Sequence, residues 1–264
     1  LRAIEDLKPR YIAVTFDTPK PTFRHGEYAG YQAQRPKMES ELSSQFEKVF
    51  KILDAAQIPF FRVEGYEADD VMGTIARQAV ESKRVKEQES GRIGSVDEVT
   101  IVTGDRDILQ LVDERVKVYI PIKGLSQAKL FGKQEVVEKM GVLPEQVADY
   151  KGLVGDPSDN YPGVSGIGPK TATRLLKKYK TIEEVYRNLG QIYPQTAKKL
   201  AEGIELASLS KKLATIVNDV PITLELESCG KWNLQSAAVK DVFSYLGFKS
   251  LISRIENKQQ LNLV

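Results

Sequence analysis

The chain has 264 residues, of which 41% are hydrophobic and 28% are charged, and its formal net charge is +2. This composition is typical of a globular protein with one large or two modest domains. A single cysteine, Cys229, excludes an intramolecular disulfide. No apolar stretch approaches the ~20 residues needed to span a bilayer, so we expect a soluble cytoplasmic protein.

The first half of the chain alternates between helix and strand patterns. Residues 1–8 have the spacing of an amphipathic helix that begins in mid-pattern, so we expect the sequence to be a fragment. The continuous apolar run at 11–16 predicts a strand buried on both faces. This order predicts an α/β fold with a doubly wound, mostly parallel sheet, whose ligands bind beyond the carboxyl ends of the strands. Further strands are predicted at 59–63, 99–102 and 115–120, and helices at 39–57 and 67–83.

The second half is predicted to be helical. Strand patterns end at about Phe131, and we place a boundary between the two halves near residue 148. Two segments have no periodic pattern: 18–38, whose length predicts a functional loop, and 82–98, which we expect to be a solvated surface insertion. The predicted helices lie at 133–140, 144–153, 169–179, 181–188, 194–215 and 236–247.

Eight carboxylates form four short clusters at the ends of these elements. Taken singly, each cluster has an ordinary explanation, such as a strand-end acid, a first-turn helix residue or a helix cap. Taken together, they lie where an α/β fold brings separate chain segments to one place. The eight residues are Asp17; Glu67, Asp69 and Asp70; Asp105 and Asp107; and Asp156 and Asp159.

A pocket of this kind requires bound cations, because like charges a few ångströms apart raise one another's pKa. Carboxylate oxygens without a cysteine or histidine partner are typical ligands of Mg²⁺ or Mn²⁺. The sequence therefore predicts a divalent-metal site for phosphoryl transfer.

A glycine-rich motif provides the second functional pattern. Gly163, Gly166 and Gly168 allow a tight hairpin whose backbone comes close to a ligand, and Pro169 suits the first turn of the next helix. The alternative without a function is that the motif simply connects two helices. A nucleotide-binding glycine loop does not fit, because no strand precedes the motif.

Positive charge follows this motif. Lys170 and Thr171 stand at a helix start, where exposed amide groups bind phosphate, and Arg174 lies one turn later. Residues 165–200 hold eight Lys or Arg against two Glu. The motif therefore predicts a helix-hairpin-helix that grips a DNA backbone without reading its bases.

Four motifs occur in one order along the chain. They are Phe23-Arg24-His25 after Asp17, Glu64-Gly-Tyr-Glu-Ala-Asp-Asp70, Val102-Thr-Gly-Asp-Arg-Asp107, and Gly155-Asp-Pro-Ser-Asp-Asn-Tyr-Pro-Gly-Val-Ser-Gly-Ile-Gly-Pro-Lys-Thr-Ala172. This series resembles the 5′–3′ exonuclease (flap endonuclease-type) domains of bacterial DNA polymerase I. The resemblance covers essentially the whole chain, and the joint match is specific.

The resemblance implies a PIN-like catalytic domain at 1–148 with a helical arch within 18–60. It implies a helix-3-turn-helix (helix-hairpin-helix) DNA-binding domain at 149–250, followed by the start of a linker at 251–264. The implied activity is hydrolysis of DNA at 5′ flaps and nicks in replication and repair, with two divalent ions and often K⁺ at the hairpin 163–168.

The resemblance also implies roles for individual residues. Arg24 and Arg35 would act as catalytic residues that neutralise phosphate in the arch. The implied ligands of the first ion, Mg²⁺ or Mn²⁺, are Asp17, Glu67 and Asp69, with Asp70 nearby. The implied ligands of the second ion are Asp105, Asp107, Asp156 and Asp159. The implied DNA-binding residues are Gly163, Gly166, Gly168, Lys170, Thr171 and Arg174.

Two departures from the family pattern bear on activity. The family carries another metal-ligand Asp at the end of a first strand, which would precede Leu1. It also usually places a Lys after the arch tyrosine, whereas Tyr31 is followed here by Gln32, a neutral amide. Arg35 or Lys37 would have to supply the missing charge.

Three functions stay open on the sequence. The leading one is the structure-specific nuclease, and the second is an impaired fragment that only binds branched or nicked DNA through residues 160–200. The third is a single-strand ribonuclease of the PIN-like group, against which the hairpin argues, because those enzymes need no duplex clamp. We expect a monomer whose partner is DNA, with a polymerase domain after Val264, no membrane contact and a nucleoid-associated location in bacteria.

Overall fold

The computed structural model describes residues 1–36, 38–89, 96–123 and 127–261. The chain forms two units. Unit 1 comprises Leu1–Ala3, Asp17–Arg35 and Val63–Thr223, and unit 2 comprises Ile4–Phe16, Pro36–Arg62 and Leu224–Val264. Over the described ranges, no helix has the length and apolar character that crossing a membrane requires.

Helices dominate the described secondary structure. The α-helices are α1 (Arg2–Leu7), α2 (Phe23–Glu27), α3 (Ser40–Ser43), α4 (Gln45–Ala55), α5 (Ala68–Glu89), α6 (Lys133–Met140), α7 (Val147–Val154), α8 (Pro169–Tyr179), α9 (Ile182–Arg187), α10 (Pro194–Glu202), α11 (Ile204–Ala214), α12 (Leu226–Cys229), α13 (Ala237–Tyr245) and α14 (Lys249–Leu261). Short 3₁₀ helices occupy Asp107–Leu111, Pro144–Gln146 and Leu189–Gln191. The strands are β1 (Val14–Thr15), β2 (Phe60–Phe61), β3 (Val99–Val102), β4 (Val116–Lys123) and β5 (Gln127–Phe131).

Unit 1 contains a sheet with the strand order β3-β4-β5. β3 pairs in parallel with β4, and β4 pairs in antiparallel with β5. The register places Ile101 beside Val118 and Val118 beside Phe131, so that three buried side chains form one row across the sheet. Because side chains alternate between faces along a strand, this row fixes the face that joins the hydrophobic core.

The helices of unit 1 extend the same core. Gly152 lets α7 and α11 approach closely, because a Cβ at this position would stand 2.9 Å from Cβ of Lys211 and 3.1 Å from the carbonyl oxygen of Ala207. One hydrophobic cluster contains residues from both sides of residue 148, the predicted boundary. Its members on the two sides include Ile101, Val118, Leu153, Leu176 and Leu200. The domain limits given above stay a prediction.

An aromatic cluster lies within unit 2. β1 and β2 pair in parallel, with Val14 beside Phe60. The ring centroid of Phe16 lies 5.1 Å from that of Phe50 and 6.1 Å from that of Phe60, and Phe50 stacks on Phe60 at 4.9 Å. Phe46 joins them at 5.9 Å from Phe16. Aromatic contacts of this geometry stabilise a fold beyond the area that they bury.

Most predicted elements are confirmed. The strand at 99–102 and the helices at 133–140 and 169–179 have the predicted bounds. The helix predicted at 194–215 is interrupted at Gly203, which separates α10 from α11. The apolar run at 11–16 contributes only the two residues of β1 to a ladder.

Four features differ from the sequence prediction. The strands form two sheets where one was expected, and strand β5 was missed, because Gln127–Phe131 gains its extended form from pairing with β4 rather than from a β-rich sequence. The prediction that 82–98 is unstructured is wrong up to Glu89, where α5 ends, and 90–95 lie outside the described residues. The loop at 18–38 contains the short helix α2.

Candidate nuclease active site

A cavity of about 380 Å³ in unit 1 collects acids from distant parts of the chain. They come from the end of β1, the start of α5, the turn after β3 and the loop after α7. Asp17 follows β1 and Asp105 follows β3, so both stand beyond the carboxyl ends of strands, where ligands of α/β folds bind. Six of the eight predicted carboxylates line the cavity: Asp17, Glu67, Asp69, Asp105, Asp107 and Asp159.

The first group of acids surrounds the start of α5. Asp17 Oδ1 accepts a hydrogen bond from the amide of Ala68 at 2.8 Å, which satisfies a free amide in the first turn. Burial, together with the nearby Asp105 and other acids, raises the pKa of Asp69 to about 8. Burial also raises the pKa of Glu67 to about 7. A bound cation would relieve this repulsion, so the group is suited to one.

The second group consists of Asp107, Asp156 and Asp159. Each offers one carboxylate oxygen, and the three oxygens lie within 4.8 Å of one another. The ammonium of Lys151 contacts both Asp107 and Asp156, and Arg35 Nη2 donates to Asp159 Oδ1 at 2.6 Å. Burial raises the pKa of Asp107 to about 6 in spite of Lys151.

The donor chemistry of both groups fits a hard divalent cation. The donors are carboxylate oxygens, which Mg²⁺ and Mn²⁺ prefer over the nitrogen and sulfur ligands of zinc sites. The three oxygens of the second group are close enough to share one ion.

Asp70 lies behind the cavity acids in a buried ion pair with Arg24, which itself lines the cavity. Arg24 donates from Nη1 and Nη2 to the two carboxylate oxygens of Asp70 at 2.7 and 2.8 Å, and the side chains are 3% and 0% exposed. The same guanidinium donates to the carbonyl oxygens of Leu213 and Thr215 at 2.8 and 2.9 Å. Asp70 also accepts from the amide of Val217 at 2.9 Å. The two residues thus join α2, α5 and the chain after α11, with all polar atoms of the pair directed at the protein.

The turn after α2 contacts the loop that holds Asp159. The amide of Gln32 donates to the Asp159 carbonyl at 2.9 Å, and its side-chain Nε2 donates to Asp159 Oδ1 at 3.2 Å. Gln32 has a φ of +53°, a left-handed conformation that is uncommon outside glycine. The hydroxyl of Tyr31 donates to Glu67 at 3.2 Å, and its ring stacks on Tyr161. This turn therefore brings a neutral amide and Arg35 to the second acid group.

The glycines of the hairpin have different structural roles. At Gly163, with φ +62°, a Cβ would stand 2.3 Å from the amide nitrogen of Gly155, so this glycine permits internal backbone packing rather than access for a ligand. Gly166 has φ +72° and faces the flexible end of Lys199. Gly168 stands before α8, and a Cβ there would meet nothing within 4 Å. The hairpin surface is thus open at Gly168.

Helix α8 presents a basic face to solvent. Lys170 and Arg174 are exposed, four residues apart, and Lys177 and Lys178 continue the row one turn further. The opposite face buries Ala172, Leu175 and Leu176 in the core. Thr171 is half-buried, and its amide donates to the carbonyl of Gly168 at 3.0 Å.

Sequence reasoning missed Lys151 and Tyr161. Lys151 lies in the last turn of α7 and reaches two of the acids, and Tyr161 forms a backbone bridge with Asp156. The hydroxyl of Tyr161 is buried and has no hydrogen-bond partner among the described residues. The signal that could have indicated a role for Lys151 is its position five residues before Asp156, a predicted metal ligand. Nothing in the local sequence marks Tyr161.

A carboxylate pocket beyond strand ends, in a unit that also holds a helical region with a glycine hairpin, is typical of nucleases that use metal ions. The model of the 5′–3′ exonuclease N-terminal resolvase-like domain matches residues 1–141, and that of the 5′–3′ exonuclease C-terminal SAM fold matches residues 142–237. The chain belongs to the 5′–3′ exonuclease family, as the resemblance in the sequence predicted.

The chain is also homologous to bacterial DNA polymerase I. It is 38% identical to the Bacillus subtilis protein over 256 residues and 41% identical to that of Caldicellulosiruptor bescii over 257 residues, in each case across 97% of this chain. It spans 28% and 29% of the length of these relatives.

Solved structures share the fold. The zinc-bound 5′-exonuclease of T5 matches with a TM-score of 0.63 and 20% identity, covering 97% of this chain and 85% of the other. A bacteriophage T5 flap endonuclease complex with DNA and metal ions matches with a TM-score of 0.62 and 18% identity, covering 97% and 85%. The catalytic core of Rad2 with a DNA substrate gives 0.51 and 12%, covering 96% and 77%.

Proposed function

We propose that this chain hydrolyses DNA phosphodiesters as a structure-specific 5′–3′ exonuclease and 5′-flap endonuclease. The observation that carries the proposal is the convergence of six carboxylates on one cavity in the unit that also holds the glycine hairpin and the basic face of α8. Two divalent ions would lower the pKa of a water and neutralise charge on the attacked phosphate.

The acids divide into two proposed ligand sets. Asp17, Glu67 and Asp69 would hold the first ion, and Asp107, Asp156 and Asp159 the second. Asp105 would serve both sets, because it lies in the turn after β3 and its charge contributes to the raised pKa of Asp69 as well as that of Asp107. We propose Mg²⁺ or Mn²⁺ for both, since every donor is a carboxylate oxygen.

Asp70 stands apart from these ligand sets. Its two oxygens already accept from Arg24, and its burial leaves them directed at the protein. We propose that the pair orients Glu67, whose amide donates to Asp70 at 3.0 Å, so that Arg24 acts through the protein and not on phosphate.

Arg35 is the proposed phosphate-binding residue of the arch. Its side chain is 52% exposed at the cavity, so it can turn from Asp159 to a DNA phosphate with little loss of burial. A planar guanidinium binds phosphate through two parallel hydrogen bonds. Arg35 would thus supply the charge that Gln32 lacks.

The hairpin and α8 are the proposed duplex clamp. Gly166, Gly168, Lys170, Thr171 and Arg174 would bind the DNA backbone, with K⁺ at the hairpin 163–168. Gly163 would contribute by shaping the turn. Phosphate contacts of this kind position a duplex without reading its sequence. Such a clamp fits a nicked or flapped duplex better than the single-stranded RNA of the alternative ribonuclease.

The proposed setting is the removal of flaps and primers during bacterial DNA replication and repair. The homology to DNA polymerase I supports this setting, with a polymerase domain as partner in the same polypeptide. A location at the nucleoid and a monomeric state complete the proposal.

The second candidate is a module that binds branched DNA without cleaving it. Gln32 favours it, because a neutral amide stands at the position where the family usually places a lysine. Lys151 and Arg35 also favour the binding module, because their side chains form ion pairs with carboxylates of the second group that a metal ion would need.

Cleavage of a labelled 5′-flap duplex separates the two candidates. We expect the 264-residue chain to cut the flap junction with Mg²⁺ and to bind without cutting with Ca²⁺. Asp69→Asn should abolish cutting and retain binding, whereas a Lys170→Ala/Arg174→Ala variant should weaken binding. Binding with Mg²⁺ but no product, in the wild type, would refute the nuclease proposal and favour the binding module. Single-stranded RNA of the same sequence is the control for the ribonuclease alternative.

A further inference from the structure

Lys151 is a largely buried lysine that contacts two of the predicted metal-ligand acids. It lies in the last turn of α7, its side chain is 13% exposed, and its ammonium contacts Asp107 Oδ1 and Asp156 Oδ2. One ammonium therefore bridges two acids of the second group.

The ammonium of Lys151 contacts carboxylates that a divalent metal ion would need as ligands. Asp107, Asp156 and Asp159 each offer one oxygen within 4.8 Å of the others, and Lys151 already bridges two of these three side chains. An ammonium and a divalent ion repel each other at such distances, so the two cannot share the same carboxylates. Lysine carries its charge on a flexible four-carbon stem, which allows the charge to leave without movement of the backbone.

We infer that Lys151 is an exchangeable internal cation, which holds the second acid group together until a divalent ion displaces it. The ammonium that leaves remains next to the cavity, where it can bind a DNA phosphate. This inference rests on the metal site proposed above. It gives two consequences: the second ion binds more weakly than the first, and ion binding at the second group strengthens binding of DNA phosphate.

Lys211 shows that a bridging lysine does not by itself imply exchange. It also contacts two carboxylates, Asp149 at 2.6 Å and Glu183 at 2.7 Å, and it lies on α11 in the same unit. These acids form no group of three that could hold an ion among the described residues. Lys211 is therefore the matched control for Lys151.

The test is a titration of the 264-residue chain with Mn²⁺, in the absence of DNA, followed by calorimetry and by electron paramagnetic resonance of the free ion. We expect two sites in the wild type. Lys151→Met should strengthen the weaker site by about tenfold or more, a coupling of ordinary size for two ligands that exclude each other. Lys211→Met should leave both sites within about twofold, as expected for a distant site.

Lysine acetylation, read by mass spectrometry with and without Mg²⁺, gives a measurement on the unchanged wild type, so the inference stays testable if Lys151→Met folds poorly. We expect Mg²⁺ to increase the labelling of Lys151 several-fold and to leave Lys211 unchanged. Two bound ions together with unaltered labelling of Lys151, or a weaker second site in Lys151→Met, would overturn the inference alone. A failure of wild type and variant to bind any second ion would overturn the proposed metal site and this inference with it.

Discussion

Replacement of Arg24 by methionine tests whether the buried pair with Asp70 stabilises the part of unit 1 around the cavity. The change removes two charge-assisted bonds to Asp70 and two bonds to backbone carbonyls, all between 2.7 and 2.9 Å. It leaves a carboxylate with 0% exposure and no counter-ion. Breaking a buried pair by removing one partner costs about 3–5 kcal/mol, a large share of the roughly 5–15 kcal/mol that stabilises a domain.

A double-mutant cycle measures this energy. Arg24→Met, Asp70→Leu and the double variant would be unfolded with urea and followed by far-ultraviolet circular dichroism. We expect each single change to cost about 3–5 kcal/mol and the double variant to cost clearly less than their sum, because no charge is then left unpaired. The double variant should still fall below wild type, since the carbonyls of Leu213 and Thr215 lose their donor.

A surface ion pair provides the control for this cycle. Lys20 contacts Glu64 at 2.8 Å, but both side chains are about two-thirds exposed, at 64% and 65%. Lys20→Met should therefore change the free energy of unfolding by less than about 1 kcal/mol. Additive single changes at Arg24 and Asp70, each no larger than this control, would refute the reasoning.

Three further predictions concern pH, a buried hydroxyl and the hairpin. Burial and neighbouring acids raise the pKa of Asp69 to about 8, and burial raises the pKa of Glu67 to about 7. Because a metal ligand must lose its proton, Mn²⁺ affinity should rise from pH 6 to 8 by roughly tenfold per pH unit for each proton released. A flat pH profile of the affinity, measured by calorimetry, would contradict these pKa values. Tyr161→Phe removes a buried hydroxyl without a partner among the described residues, so thermal melting should show equal or higher stability, by about 1 kcal/mol, and a loss above that size would mean that the hydroxyl has a partner. Gly163→Ala combines positive φ with a backbone clash and should cost about 2–3 kcal/mol or more in urea unfolding, whereas Gly168→Ala, in open space, should cost under about 1; equal costs would contradict the packing role.

The positions of the cavity acids were predictable because they follow from local patterns. Asp17 and Asp105 come after apolar runs that form strands, and Asp69 stands in the first turn of an amphipathic helix. Ligands of α/β folds bind beyond the carboxyl ends of strands, so the local pattern marks these acids as site candidates even though β1 and β3 belong to different sheets. The second acid group was predictable only in part, since a loop outside the sheet has to fold back to bring Asp156 and Asp159 near Asp107.

The roles of Arg24 and Lys151 were not predictable from the sequence. Arg24 stands between Phe23 and His25 in a short helix, and its buried hydrogen bonds reach the carbonyl oxygens of Leu213 and Thr215, almost two hundred residues away. Lys151 looks like an ordinary helix-end lysine until the fold places Asp107 beside it. Contacts of this range are set by tertiary packing, about which local periodicity carries no information.

The composition of unit 2 from three separate stretches has a consequence for synthesis on the ribosome. Its aromatic cluster joins Phe16, Phe46, Phe50 and Phe60, but the third stretch, Leu224–Val264, is made only after all of Val63–Thr223. At translation rates of roughly 5–20 residues per second, about 10–30 seconds pass between synthesis of the first two stretches and the start of the third. During that interval the amide of Ile12 and the carbonyl oxygen of Ala56 lack their hydrogen-bond partners at Cys229 and Asn233, so both groups are open to water and to whatever chaperone the nascent chain meets.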